Sequence, residues 1–524
     1  PVQVVLRSVG SRLATELDPP DGQSEQRLLE GLRLLAAYAE GVNDYIDDHK
    51  GKYPIEFDML NYEPEHWTVA HSLLAARLIA WELNLAWWTD VTYGEIAAAV
   101  TAEKFRELIP AWPDSVLPPV PSAAPPTGKR LGSLPGMLEV GRSYRSFFGL
   151  GSLEAGSNAW VVDSSKSLSG KPLLANDPHL AMPAPSRWYE IHLSSPGWNV
   201  AGVSLPGTPL VIIGHNDRVA WGLTNAMIDD ADFFVERIDS ARPGHYLSQK
   251  SSLPITMREE TIYINPDDSL VATIRSTRHG PIINDVHPSR LHVADSVRYR
   301  DPPVAMSWTG FEASEELLGF YRMNKAADRK EFEEGVKEIS VPAQSVLYGD
   351  VDGNIAYWTA GRVPIRSGRG MPMVPQPGWT GEADWKGFVP FEQLPHRANP
   401  PEGFLACANQ KIADQRYYLS TLWEPPSRII RIRQLLRSAE KFSAVDFQQF
   451  QQDVSSPYAH ELVQMLMAAY DSAAAPATEI HEALNYLRNW DDRFTQGDIA
   501  TTVFNAFFVR LLHNIYEDEM GTEA

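Results

Sequence analysis

Apolar residues at Leu28, Leu32, Leu35, Ala39, Val42 and Ile46 recur at the spacing of one helix face, with Ser24 available as the N-cap. A second helix is predicted from about Val69 to Trp88. Its longest apolar run, Leu73 to Trp88, is interrupted by Arg77, Glu82 and Asn84, so it reads as amphipathic and not as a membrane span. From about Pro110 to Ala155 the periodicity fades into a Pro/Gly/Ser-rich stretch that reads as an exposed connector. The pattern then changes to strand-like runs, first Ala159 to Val162 and then Pro172 to Ala175, and strands and turns dominate to about Ile365. Asp352-Gly353-Asn354, between Leu347-Tyr348 and Ile355-Ala356-Tyr357, is a strong hairpin signal. One interruption, Ser314 to Ser340, is predicted helical. Helical character returns from about Arg428, and Phe504 to Tyr516 is an amphipathic run. No repeat at a solenoid period is present. Helices, then sheet, then helices predict layered α+β packing.

Composition narrows the function. The chain has 524 residues, 44% of them apolar, enough for a large core. Its formal net charge of −21, from 46 basic and 67 acidic residues, argues against binding a phosphate backbone. Cys407 is the only cysteine, so neither an intrachain disulfide nor a thiolate metal cluster can form. It lies in the apolar run Gly403 to Ala408 and reads as a small core residue.

The junction Gly156-Ser157-Asn158-Ala159-Trp160 carries the chemistry. A serine between a disposable connector and a strand is well placed for self-cleavage: its hydroxyl can attack the preceding glycine carbonyl, and glycine puts no side chain in the way. Serine is a weak nucleophile that needs a base within reach. No Gly-x-Ser-x-Gly elbow occurs here. An N-terminal serine needs no such elbow, because its own α-amino group, with a reference pKa of about 7.7–8.0, can take the hydroxyl proton. Uncleaved, the same nitrogen is an amide without basicity. By itself, though, a serine after a glycine in a loop is ordinarily a turn residue.

Three motifs in order resolve that ambiguity. Ser157-Asn158-x-Trp160, Asn176-Asp177-Pro178-His179 and Gly214-His215-Asn216-x-x-x-Ala220-Trp221-Gly222 together resemble the penicillin acylase family of N-terminal nucleophile hydrolases, from about Arg7 to the last residue. The resemblance implies a four-layer αββα fold, two stacked antiparallel sheets between helical layers. It divides the chain into a mainly helical first segment (1–109), a linker removed or trimmed on maturation (110–156), and a second chain (157–524) that begins with the catalytic serine. Family members have more chain at both ends, so this sequence is expected to be a fragment.

Site residues follow from the same resemblance. Cleavage falls between Gly156 and Ser157. Asn409 supplies a side-chain amide, and Asn225 a backbone N–H, to the oxyanion. Arg428 matches the arginine that orients this asparagine. His179 matches the position that hydrogen-bonds the N-terminal serine. Asp177-x-His179 shows two ligands at most and no His-Glu-x-x-His helix, which argues against zinc. The acidic run Asp229-Asp230-Ala231-Asp232 suits a hard cation that takes six to eight oxygen ligands. The resemblance places one structural Ca2+ per heterodimer on Asp229, Asp232 and the Ala231 carbonyl, with Glu95 as the ligand from the first segment. A further family aspartate falls at Tyr417.

The implied activity is that of a self-processing amidohydrolase. It cleaves an N-acyl amide, of the β-lactam side-chain or N-acyl homoserine lactone type, through an acyl-enzyme on Ser157. The partners expected are the small-molecule substrate and the two chains of one precursor, with no nucleic acid and no membrane span. Location is periplasmic or extracellular by resemblance. Two rival readings make different predictions. A non-catalytic, calcium-containing binding protein of the same fold would stay uncleaved. A serine hydrolase using His215 or His179 as base would act without cleavage.

Overall fold

Along Gly156–Val162 side chains alternate between two buried surfaces, and this alternation explains the architecture. Ala159 and Val161 pack with Leu347, Ile355, Leu405 and Cys407. Trp160 and Val162 face the other way, onto Ile429, Ile432, Leu436, Phe442 and Phe447. A strand buried on both faces needs a sheet below it and helices above it.

The computed structural model describes residues 23–109, 143, 146, 156–265, 268–286, 302–312, 314–367, 372–412, 417–472 and 478–520. Apart from 143 and 146, the expected linker up to residue 155 lies outside the described residues. The first segment carries helices α1 (Gln23–Asp48), α2 (Ile55–Leu60), α3 (Val69–Leu83), α4 (Ala86–Ala99) and α5 (Ala102–Leu108). Strands follow as β1 (Gly156–Val162), β2 (Leu173–His179), β3 (Tyr189–Ser195), β4 (Trp198–Ser204), β5 (Ile213–Asn216), β6 (Val219–Asn225) and β7 (Ala231–Val235). Short strands β8 to β13, including one long hairpin, fall within 237–281, and β14 is Val304–Trp308. After helices α6 (Glu316–Lys325) and α7 (Arg329–Lys337) come β15 (Gln344–Asp350), β16 (Ile355–Ala360), β17 (Gln376–Pro377), β18 (His396–Ala398) and β19 (Phe404–Cys407). Helices α8 (Ser427–Arg437), α9 (Ala444–Gln451), α10 (Pro457–Asp471), α11 (Thr478–Arg488) and α12 (Ile499–Met520) close the described chain.

One sheet has the order β19-β1-β2, and a second runs β18-β16-β15-β6-β5-β4-β3, with every pairing antiparallel. The two stack through Ala159, Val161, Leu347, Ile355, Leu405 and Cys407. The outer face of the first is covered from α8 and the stretch around α9 (Phe442, Phe447). The outer face of the second packs Trp221, Tyr348 and Trp358 against Phe332 and Val336 of α7. Helix, sheet, sheet, helix is the αββα order expected. A third, small sheet, β14-β7-β17, extends from the end of β6. Among the described residues no helix is long and apolar enough to cross a membrane.

The local expectations hold with three adjustments. The single helix expected over Val69 to Trp88 is two, because Asn84 turns extended and its Oδ1 accepts from the Trp87 N–H at 3.4 Å, which starts α4. The helical stretch Ser314 to Ser340 likewise splits, at Asp328, whose side chain caps α7 through the Glu331 N–H. Ser24 lies inside α1 and not at its cap. The turn at Asp352-Gly353-Asn354 joins β15 to β16 as read, with Gly353 at φ +97.

Candidate active site

Ser157 stands at the second position of β1, 7% exposed, in the wall of a cavity of about 90 Å³. Its backbone N–H donates to Asn409 Oδ1 at 2.6 Å. Asn409 follows β19, the neighbour of β1, and adopts a left-handed φ of 59 that asparagine tolerates better than most residues. Its Nδ2 donates to the Asn225 carbonyl at 2.8 Å, so one amide N–H remains for another acceptor. Arg428, near the start of α8, donates from Nη1 to the Ser157 carbonyl at 2.8 Å and to Asn158 Oδ1 at 2.7 Å. Its Nη2 reaches Asn409 Oδ1 at 3.1 Å. One guanidinium thus ties the serine strand to the asparagine. A Cβ on Gly156 would lie 3.1 Å from that same Nη2, a tight contact that the guanidinium would have to relieve by shifting a few tenths of an ångström.

Asn225 ends β6. The Ala226 N–H bonds the carbonyl of Ala343, the residue just before β15, and in an antiparallel ladder the adjacent residue turns both peptide groups the opposite way. The Asn225 N–H therefore points to the side on which its carbonyl meets Asn409. Gly222 lets β6 approach β2, since a Cβ there would meet Asn176 Cβ at 2.9 Å. The Asn225 side chain caps α3 of the first segment through the Leu83 carbonyl at 2.9 Å.

His179 is not brought to the serine. Its Nε2 pairs with Asp177 Oδ2 at 2.6 Å, and the ring is 42% exposed. The register gives the reason: Pro178 is opposite Ser157 and His179 opposite Gly156, and directly opposed residues share a face. Pro178 accordingly lines the cavity with Ser157. His215 lies exposed on β5, with Nδ1 at 3.3 Å from the Asn216 carbonyl. Cys407 is buried in the core, and that burial pushes its thiol up to about 12, so it is no nucleophile.

A second centre begins four residues beyond Asn225. Asp229 and Asp232, with Asp90 of α4, present three buried carboxylates whose ligand atoms lie within 4.8 Å of one another. Ala231 begins β7 between them. The first-segment carboxylate in this group is Asp90, and Glu95, expected there as a ligand, is not one of its members. Glu95 lies five positions further along α4, about 140° round the helix and 7.5 Å along it. An aspartate inside the apolar run Trp87-Trp88-Thr89-Asp90-Val91 was the signal that would have found it. Tyr417, where a family aspartate falls, points away, its hydroxyl donating to the Gln393 carbonyl at 2.7 Å. Its neighbour Tyr418 donates to Asp229 Oδ2 at 2.8 Å.

Arg366, unforeseen in the sequence, enters this centre. Its Nε meets Asp232 Oδ2 at 2.7 Å, and its Nη2 meets Asp229 Oδ1 at 3.0 Å and the Asp229 carbonyl at 2.9 Å. Of four buried aspartates, Asp229 and Asp232 pair with this guanidinium, while Asp90 and Asp230 feel only its charge. Burial raises the carboxyl of Asp229 to about 7, opposed by Arg366 and reinforced by Asp232. Burial likewise lifts Asp230 to about 7 against hydrogen bonds from Thr309 and Trp308. Asp90 rises well above the usual carboxylate range, through burial and then the charges of Asp229 and Asp232. Asp90 Oδ2 and Asp232 Oδ1 are buried without a hydrogen-bond partner among the described residues. Excess negative charge and orphaned hard oxygens fit a divalent cation.

Comparison with known proteins bears on the family and the fold. The family profile for penicillin amidase matches residues 7–524. An acyl-homoserine lactone acylase, QuiP, from Pseudomonas aeruginosa is 29% identical across 99% of this chain and 62% of its own length. A penicillin acylase 2 proenzyme from Pseudomonas sp. strain SE83 is 28% identical across 91% of this chain and 60% of its own. Among solved structures, a thermostable penicillin G acylase from Alcaligenes faecalis matches with a TM-score of 0.53 at 24% identity. That match covers 64% of this chain and 59% of the other, and it concerns the fold. The chain spans about three fifths of the length of the curated relatives it matches.

Proposed function

This chain belongs to the penicillin amidase family, and we propose that it is part of a self-processing amide hydrolase acting on N-acyl amides. The observation that carries the reading is the placement of Ser157: second residue of a buried strand, hydroxyl-bearing residue in the cavity wall, and backbone nitrogen held on Asn409 Oδ1. In the continuous chain that nitrogen is an amide. Cleavage of Gly156–Ser157 leaves a first chain ending at or before Gly156 and a second beginning at Ser157, and turns the nitrogen into an amine that can act as base.

In the reaction Ser157 Oγ attacks the acyl carbonyl and its proton passes to the α-amine. The oxyanion is met by the remaining Asn409 N–H and the Asn225 backbone N–H. The amine returns the proton to the leaving nitrogen, and water, deprotonated the same way, releases the acid. Arg428 acts by positioning, since it holds the Ser157 carbonyl and Asn409 Oδ1 together. With His179 paired to Asp177, main-chain atoms of β2 do the positioning that the resemblance gave to His179. The relatives named penicillin acylase and acyl-homoserine lactone acylase suggest β-lactam side chains or fatty acyl lactone amides as substrates, and a two-chain product of one precursor.

Asp90, Asp229, Asp232 and the Ala231 carbonyl would hold one Ca2+, with Arg366 offsetting part of the remaining charge. The ion would supply charge neutralisation that ties α4 of the first chain to β7 of the second, at a distance from the chemistry. A periplasmic or extracellular site of action accords with the family.

The deciding experiment is the denatured mass of the purified full-length parent. Two chains, the second beginning at Ser157, together with a covalent acyl adduct on Ser157 during turnover, are expected. One folded, uncleaved chain with no adduct would favour the non-catalytic binding protein instead.

A further inference from the structure

We infer that Asn176 is a positioning residue for the oxyanion site, fixing where the Asn225 N–H stands relative to Ser157. The inference rests on the amide-hydrolase reading and adds to it a residue that acts through others.

Asn176 belongs to β2, and its side-chain amide bridges the two stacked sheets. Nδ2 donates to the Asn158 carbonyl of β1 at 2.7 Å and to the Leu223 carbonyl of β6 at 3.0 Å. Oδ1 accepts the Leu223 N–H at 2.8 Å. Asn158 directly follows the serine, and Leu223 stands just ahead of Thr224 and Asn225. One side chain therefore joins the strand of the nucleophile to the strand of an oxyanion donor. Exchanging the amide nitrogen and oxygen would set an oxygen against both carbonyls and a nitrogen against an N–H. Only the observed orientation makes all of these bonds.

The topology explains why β6 needs this bridge. Because the Ala226 N–H bonds the Ala343 carbonyl, alternation turns the peptide groups of Trp221, Leu223 and Asn225 to the other edge of β6. On that edge the pairing with β5 reaches Trp221 and stops. Side-chain amides then take the place of a strand: Asn176 on Leu223, and Asn409 on the Asn225 carbonyl. The Asn225 N–H is left for the oxyanion. Both amides come from the serine's own sheet or its immediate continuation, so β6 is set by the element it must serve. Gly222 makes room for this, since a Cβ there would lie 2.9 Å from Asn176 Cβ and 3.1 Å from its Oδ1. Such precision matters because a donor displaced by about 0.5 Å loses much of its hold on developing charge.

The test is Asn176→Asp in the purified full-length protein. Aspartate keeps the shape and the acceptor for the Leu223 N–H, but sets an oxygen against two carbonyls. The expected result is a fall in kcat of about tenfold or more, with KM changed by less than about twofold. An alkylboronic acid serves as the probe of the oxyanion site. Its boron takes a lone pair from Ser157 Oγ while the hydroxyl proton passes to the α-amine, leaving a tetrahedral anion. Inhibition by it should weaken about as much as kcat, whereas the planar carboxylic acid of the same chain length should bind within about twofold of its natural affinity. A merely loosened fold would weaken both ligands alike. Asn176→Ala, which removes the amide without adding charge, is the second variant and should show the same split. A kcat within about twofold of the natural value overturns the inference, and so does equal weakening of the two ligands. Failure of both variants to fold also overturns it, by making Asn176 a folding residue. The natural protein is measured first: a single uncut chain without turnover there would overturn the hydrolase reading itself, whereas normal turnover in both variants would overturn only the role of Asn176.

Discussion

The serine centre and the acidic centre lie four residues apart along the chain, at the two sides of the end of β6, yet they handle buried polarity in opposite ways. Around Ser157 the groups are mostly neutral amides and carbonyls, matched donor to acceptor: Ser157 N–H to Asn409, Asn409 to Asn225, Arg428 to Ser157, Asn158 and Asn409. Around Asp229 and Asp232 ionisable groups are crowded together, and one guanidinium, paired with two of them, stands among four buried aspartates. Fixed dipoles lose little on burial and lie ready for charge that develops during a reaction. Buried carboxylates are costly unless a cation pairs with them or a proton neutralises them. The first centre should therefore control rate and the second should control whether the two segments stay together.

Substitutions can break that division. The largest effect expected is Ser157→Ala in the full-length protein, which should leave the precursor uncut and lower acid release by about 10⁶-fold, with the melting temperature little changed. Intact mass and a turnover assay read it. Arg366→Met removes the guanidinium from buried carboxylates and should cost about 3–5 kcal/mol of stability by denaturant unfolding. If this variant were as stable as the natural chain, the acidic centre would not be a structural tie. Asn409→Ala should lower kcat by about 10²–10³-fold, as loss of an oxyanion donor does, without a matching fall in stability.

Removal of divalent cations sharpens the contrast further. At a hundredfold excess over its Kd, Ca2+ should contribute about 2.7 kcal/mol that chelation takes away, and Asp90→Asn should shrink this difference. Glu95→Gln should not, which separates the two candidates on α4. The smallest effect belongs to Gly156→Ala. Its Cβ would stand 3.1 Å from Arg428 Nη2, so cleavage should slow several-fold while the matured enzyme, which has lost the bond at residue 156, turns over normally. A time course of chain separation measures this, and an unchanged rate would show that Arg428 gives way freely.

Much of this was legible in the order of residues. Alternation at Ala159 to Val162, the turn at Asp352-Gly353-Asn354, and helical spacing before and after the strands are local patterns, and local patterns survive folding. Ser157, Asn225, Asn409 and Arg428 were readable as a set, and the fold joins them through direct hydrogen bonds and the register of adjacent strands. His179 was readable as a neighbour of the serine, but one step of register sends its ring to Asp177. Such a step is invisible until the strands pair, because it moves a side chain to the opposite face.

By itself, the sequence determined the α+β class, the place of the serine at a strand start, the acidic run after β6 and the inert, buried cysteine. Each depends on spacing within a few residues. Only the tertiary structure decided that Asp90, and not Glu95, joins Asp229 and Asp232, that Arg366 reaches into their midst, and that Arg77 of α3 pairs with Glu316 of α6. Those partners are separated by more than a hundred residues of chain. Their meeting depends on which faces of α3 and α4 the first segment buries against the sheets, and burial is also what makes their charges matter.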